Sequence, residues 1–150
     1  MDNQQERLAI SQFDLGWLIG IFDGEGSFWM ASCKSKGYEG FMPVFEISNT
    51  NFQIMDRVEE LLKDLNIPFH CYIPKRNSKQ KEYRKLEVKG IKRLKRFFDI
   101  LYPYFDCRFE QASLLKSFID LRLSKKSNEP YTDNEHSIYY QLRQRNKRGC

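Results

Sequence analysis

The segment LGWLIGIFDGEGSF (residues 15–28) constrains this chain more than any other. Its apolar residues and glycines predict a helix of about three turns, with Asp14 as N-cap and Gly24 and Gly26 at its end. Gly16, Gly20 and Gly24 recur every fourth residue and so share one helix face. Each helical glycine costs up to about 1 kcal/mol relative to alanine. Close approach of a second helix backbone compensates for such a stripe, and in a membrane this spacing marks a helix dimer. The apolar run between Asp14 and Asp23 falls far short of the roughly 20 residues that span a bilayer, so no membrane is expected as a partner. The partner helix then belongs to a soluble interface, with tight packing inside one domain as the competing reading.

Asp23 and Glu25 stand among glycines at the end of this helix, and Ser27 opens a strand. A carboxylate beside the exposed carbonyls of a helix C-terminus offers hard oxygen donors for Mg²⁺. The negative end of the helix dipole also favours a cation. The competing reading is a polar helix terminus running into a turn.

Charge points to a polyanion. The 150 residues carry a net +5, but Lys75–Arg96 alone holds 11 basic and 2 acidic residues, so the remainder is acidic. One basic face on an acidic body is expected. The length predicts a single domain over residues 1–150, long enough to bury a core without disulfides. Cys33, Cys71, Cys107 and Cys150 form no C-x-x-C pair, which argues against a zinc ribbon or a secreted disulfide framework. His70 and His136 stand alone, so chemistry built on a histidine pair is not expected. The start, MDNQQERLAI, lacks the pattern of a signal peptide, so an intracellular, DNA-containing compartment is expected, prokaryotic cytoplasm or an organelle.

Periodicity lays out the rest. A short helical lead-in over 6–13 precedes the glycine helix. Strands follow over 27–34 and 42–48, joined through Ser35–Gly40, with Pro43 at a strand start or an edge. Thr50 or Asn51 caps a helix over 52–65 that stops at Asn66. A second hairpin uses 68–76 and 82–90. Ile91, Leu94, Phe97, Phe98 and Leu101 mark the next helix. Ala112, Leu115, Ile119 and Leu123 mark another over 109–123. After a linker at 125–134, Thr132 and Glu135 form a capping box for a basic helix over 134–148. The fold class is α+β with antiparallel strands.

LIGIFDGEGSF resembles the LAGLIDADG motif of the homing endonucleases. Leu18, Gly20, Asp23, Gly24, Glu25 and Gly26 match it by position or chemistry. FEIS (45–48) stands where those enzymes have their second strand. LYPYFDCRFEQASLL (101–115) resembles the family's Pro-aromatic segment, basic pocket residue and following helix. The resemblance covers about 12–122 and implies the αββαββα layout, a saddle of antiparallel strands over DNA with helices on the opposite face.

With one motif per chain, the resemblance implies a homodimer whose interface includes Leu15, Gly16, Ile19, Gly20 and Asp23. It implies an endonuclease that cuts both strands of a long, nearly palindromic DNA. It also implies a divalent cofactor: Mg²⁺ is expected to serve, Mn²⁺ to substitute and Ca²⁺ to bind without turnover. By the same resemblance Glu25 holds the metal and Gly24 adds a carbonyl. Glu46 stands where many members position water, and Arg108 where many have a lysine near the scissile phosphate. Arginine keeps that charge and binds phosphate in two-pronged fashion, but is a poor proton donor. Gln111 orients the pocket, and Asp23 acts structurally rather than on metal.

Strand alternation assigns DNA contacts within this frame. Ser27, Trp29, Ala31, Cys33 and Ser35 face the groove from the first strand. His70, Tyr72 and Arg76 come from the third and Tyr83, Lys85, Glu87 and Lys89 from the fourth. Lys75, Lys79, Lys81, Arg143, Arg145 and Lys147 suit phosphates. The alternatives are a non-cleaving nucleic-acid-binding protein of the same fold, an RNA maturase or a DNA-binding regulator, and a restriction-type nuclease using the E-x-K within LEVKG (86–90).

Overall fold

Ser11, not Asp14, opens the first helix. Its hydroxyl accepts the Asp14 N–H at 3.1 Å and donates to the Asp14 carboxylate at 3.0 Å, a side-chain N-cap three residues earlier than expected. Asp14 is left to bind Arg57 at 2.8 Å. The computed structural model describes residues 9–126 and 128–147. The lead-in read over 6–13 lies partly outside them; within them, helix α1 begins at Gln12 and runs Gln12–Glu25.

Strands β1 (Ser27–Ser35) and β2 (Tyr38–Asn49) form a tighter hairpin than Ser35–Gly40 suggested. Ser35 pairs with Tyr38 across Lys36 and Gly37, whose φ values are 47° and 79°. Two consecutive positive φ angles make the type I′ turn that suits strand twist. Helix α2 (Phe52–Asp64) is capped by the Asn51 side chain and ends where Asn66 turns left-handed. β3 (His70–Tyr72) and β4 (Arg84–Lys89) form the second hairpin, with the expected strand over 68–76 cut to three residues and a long basic loop over 73–83. Then come α3 (Ile91–Leu101), a 3-10 turn at Tyr102–Tyr104, α4 (Phe109–Leu123) and α5 (Asp133–Lys147).

The strands form one antiparallel sheet in the order β1-β2-β4-β3, giving the α+β class that the pattern implied. Pro43 lies where β2 has only β1 beside it. Its carbonyl accepts from Gly90 N at 3.0 Å, just beyond the end of β4, so the missing N–H falls where the β2–β4 ladder ends rather than in its middle.

Alternation divides the sheet into two faces. Phe28, Met30, Phe41, Phe45, Ile47, Leu86 and Val88 point into a core closed by the helices. Phe22, Phe28, Phe45 and Phe97 meet there with ring centroids 4.7–6.2 Å apart. Gly26 makes this closure possible: a Cβ on it would lie 2.4 Å from the Phe22 carbonyl and 2.5 Å from the Phe45 ring. The other sheet face carries the odd residues of β1 and the even residues of β2.

Two sequence expectations change here. The basic window 75–96 does not form one face. α3 buries Leu94, Phe97 and Phe98 against the core, so the exposed Lys92, Arg93, Lys95 and Arg96 lie on the helical side, away from Lys85 and Lys89. In α4 the buried phase is Ala112, Leu115, Phe118, Ile119 and Arg122, and Leu123 is exposed. Arg122 turns inward because its guanidinium meets Glu135 at 3.2 Å.

Candidate nucleic-acid interface

Glu25 is the last residue of α1, presented at the end of the sheet where β2 finishes. Its Oε2 accepts from Asn49 Nδ2 at 2.8 Å, and Asn49 Oδ1 in turn accepts the Asn51 N–H at 2.7 Å. One carboxylate oxygen is thus fixed by the end of β2, and the other has no partner among the described residues. Glu25 shares a shallow cleft of about 590 Å³ with Gly24, Ser48, Asn49, Thr50, Tyr83 and Arg108. Sequence reasoning did not find Asn49. The only signal was the polar run Asn49-Thr50-Asn51 after an apolar strand, which reads equally well as a helix cap.

Asp23 and Arg108 hold this cleft open from below. The Asp23 carboxylate accepts the backbone N–H groups of Asp106, Cys107 and Arg108 at 3.2, 2.9 and 2.9 Å. Partial burial pushes its pKa up, but these three donors outweigh burial and hold it below the ordinary aspartate value. The side chain turns onto its own chain, a geometry that fits the structural role expected of Asp23. Arg108 reaches back to the α1 terminus, donating from Nε to the Asp23 carbonyl and from Nη2 to the Gly24 carbonyl, both at 3.3 Å. The carbonyl expected to face a metal therefore also accepts a long bond from Arg108. Gln111 is buried on the first turn of α4 and does not line the cleft.

Glu46 is placed differently from the expectation. It pairs with Ser27 and Glu87 in register, is held by Lys85 Nζ at 3.0 Å, and does not line the cleft with Glu25. Burial works against the Lys85 charge, but Glu46 outweighs it and raises the lysine above its ordinary pKa.

The remaining DNA-contact residues fall in three places. Ser27, Trp29, Ala31, Cys33, Ser35, His70, Tyr72, Lys85, Glu87 and Lys89 belong to the open sheet face, where His70 stacks on Tyr72 with centroids 5.1 Å apart. Glu87 is only 9% exposed there and accepts from the Tyr72 hydroxyl at 3.3 Å, so it contributes little accessible surface. Lys75, Arg76, Lys79 and Lys81 belong to the exposed 73–83 loop rather than to a strand. Arg76 bonds within that loop to Glu82 and the Gln80 carbonyl.

α5 packs on the body, with Ile138 and Leu142 buried. Arg143 and Lys147 share a cavity of about 340 Å³ with Trp29, whose buried indole N–H has no acceptor among the described residues. Arg145 pairs with Glu110 of α4 and is not placed with the sheet face.

The middle of the glycine helix, Leu15–Phe22, is apolar on all sides, but not covered on all sides. Leu15, expected at an interface between copies, is 3% exposed and belongs to the core with Leu18 and Phe22. Ile19 is half-buried. A Cβ on Gly16, Gly20 or Gly24 meets nothing within 4 Å, and Phe13 near the same face is 76% exposed.

Three comparisons bear on this arrangement. A LAGLIDADG-like domain model matches residues 12–102. No curated protein sequence matches the chain. Among solved structures, I-CeuI complexed with DNA superposes with a TM-score of 0.70 at 14% identity, covering 96% of this chain and 72% of that one. I-CvuI, in complex with the I-CreI target in the presence of Mg and described as uncleaved, gives 0.56 at 17% identity, over 87% of this chain and 95% of that one. I-LtrWI bound to target DNA gives 0.63 at 18% identity, over 95% and 47%. At these identities the likeness fixes the fold. The matched segment spans the glycine helix, both hairpins and α3, the frame that presents Glu25 and the open sheet face, and on that ground the chain belongs to the LAGLIDADG-like family.

Proposed function

We propose that two copies of this chain bind double-stranded DNA on their open sheet faces and hydrolyse one strand each at Glu25. The observation that carries the reading is the position of Glu25. It is an exposed carboxylate at the end of an apolar helix whose glycine side meets nothing, beside the Arg108 guanidinium. Joining two such helices along Gly16, Gly20 and Gly24 covers that apolar side and brings the two Glu25 clefts together. The homing endonucleases that share this fold, determined on DNA, supply the substrate class.

The donor set fits a divalent ion. Mg²⁺ takes oxygen ligands, commonly one or two carboxylates with phosphate and water completing the shell. Here the free Glu25 oxygen and the Gly24 carbonyl supply hard oxygens at the negative end of α1. When bound, such an ion polarises the phosphate and activates water.

The chain's own residues do the rest. Asn49 fixes the rotamer of Glu25. Arg108, anchored on α1 carbonyls, sets a permanent cation in the cleft, where it offsets the charge that builds on the phosphate oxygens. The loop lysines, on an exposed segment, suit backbone phosphates.

The test is Glu25→Gln assayed on a duplex library with Mg²⁺. Wild-type protein cuts and the variant binds without cutting. Wild-type protein that binds duplex DNA yet never cuts it supports the non-cleaving reading instead.

A further inference from the structure

The open sheet face holds an acidic pair where a polyanion is to lie. Register aligns Ser27, Glu46, Glu87 and His70 in one row across all four strands. The next row toward the cleft holds Ser48, Lys85 and Tyr72. Two glutamates opposite each other on neighbouring strands repel, and a phosphate backbone above them adds to the repulsion. Lys85 only partly offsets this, with Nζ 3.0 Å from Glu46 Oε2 and 4.0 Å from Glu87 Oε1. A fold that merely needed a neutral surface here has no use for two acids.

The two acids differ in what they offer. Glu87 has a side chain 11% exposed and is committed to Tyr72 and Lys85. Glu46 is 25% exposed at its side chain: its Oε2 is buried and met only by the Lys85 ion pair, and its Oε1 has no partner among the described residues. Lys85 is 26% exposed and, with three N–H groups, keeps donor capacity beyond its ion pair with Glu46. The surface therefore presents an acceptor and a donor side by side.

The edge of a G·C pair in the major groove is the complement of this pattern. Cytosine N4 donates, and guanine O6, its pairing partner about 2.9 Å away, accepts. An A·T pair also offers an amine beside a carbonyl, but its carbonyl adjoins the thymine methyl, a poor neighbour for an ammonium. Guanine gives a lysine both O6 and N7. Resting on the proposed function, we infer that Glu46 and Lys85 act as one unit that reads a G·C pair near the cut, Glu46 accepting from cytosine N4 and Lys85 donating to guanine O6 and N7. Glu46 is then a specificity residue rather than a water-positioning one.

The experiment selects cleaved duplexes, with the full chain and Mg²⁺, from a library randomised through the site. Wild-type protein shows about a 10- to 100-fold preference for G·C at one position per half-site. Lys85→Met and the isosteric Glu46→Gln each flatten that position and no other. The exchange Glu46→Lys with Lys85→Glu keeps an ion pair while swapping donor and acceptor, so the preference inverts to C·G. A purely structural ion pair changes melting temperature and leaves base preference alone. Base preference unchanged in all three variants, with cleavage retained, overturns the inference and leaves the endonuclease reading standing. Wild-type protein that retains no duplex at any salt overturns both.

Discussion

Asp23 and Arg108 cap each other's helices. The Asp23 carboxylate accepts the Arg108 backbone N–H at 2.9 Å, and the Arg108 Nε donates to the Asp23 carbonyl at 3.3 Å. An anion thus meets the electropositive start of α4 and a cation meets the electronegative end of α1. The pair ties the glycine helix to the segment after the 3-10 turn and places the guanidinium in the cleft with Glu25.

Asp23→Ala leaves three backbone donors without their acceptor and is expected to cost about 1–3 kcal/mol in denaturant unfolding. Arg108→Ala is expected to leave the three donors to Asp23 intact and cost less stability. It lowers cleavage far more than DNA binding. Equal losses of stability in the two variants would falsify this division of labour.

Asn49→Ala frees the Glu25 rotamer without removing the acid. A second-layer change of this kind is expected to lower metal affinity or cleavage about 10- to 100-fold. Titrating cleavage against Mg²⁺ reads the effect, and an unchanged titration shows that Glu25 is positioned by something else.

Glu135 is one source of acid sensitivity, beside Asp14 and Asp23, whose pKa values are also lowered. It has no exposed surface. Burial raises its pKa, but Lys125, Thr132 and Arg122 outweigh burial and leave it below the ordinary glutamate value. Its contribution to stability is therefore complete above the unfolded glutamate pKa, about 4.3, and is lost as pH falls through the lower folded value. Glu135→Ala strands Arg122, only 8% exposed, and is expected to cost about 3–5 kcal/mol while removing that acid limb from a stability–pH curve.

Gly20 discriminates between one copy and two. Within a single chain a Cβ there meets nothing within 4 Å. Gly20→Val is therefore tolerated by the folded protomer but blocks approach of a second helix. Sedimentation should show the dimer dissociating, with DNA cleavage lost and the circular dichroism spectrum kept. A variant that stays dimeric and active removes this helix from the interface.

Salt dependence separates the two basic surfaces. Changing Lys75, Lys79 and Lys81 to Gln is expected to reduce the slope of log K against log salt by about 0.9 for each phosphate that is no longer neutralised. Changing Lys92 and Arg93, on the helical side, leaves the slope unchanged.

Much of the fold could be read from periodicity. The order of elements, the inward Phe28, Met30, Leu86 and Val88, the Asn51 cap and the Thr132–Glu135 box all follow from local spacing, and the structure contains them; Ser32, which the same alternation turns inward with Phe28 and Met30, is exposed. What escaped depends on the meeting of distant segments. Asp14 resembles an N-cap until Arg57, 43 residues on, claims it. Glu46 resembles a cleft residue until register sets it against Glu87 and Lys85. The basic run resembles one face until the chain reverses at Gly90, with φ of 100°, and α3 carries its second half to the other side of the sheet.

Asn146 donates to the Phe28 carbonyl at 2.8 Å, so the end of α5 lies along β1, the long outer strand of the sheet. A bare strand of nine residues is a template for another molecule's backbone. The C-terminal helix covers the start of that edge at Phe28, and a chain truncated before it is expected to be lost to fibres or inclusion bodies before any defect in its enzymology is noticed.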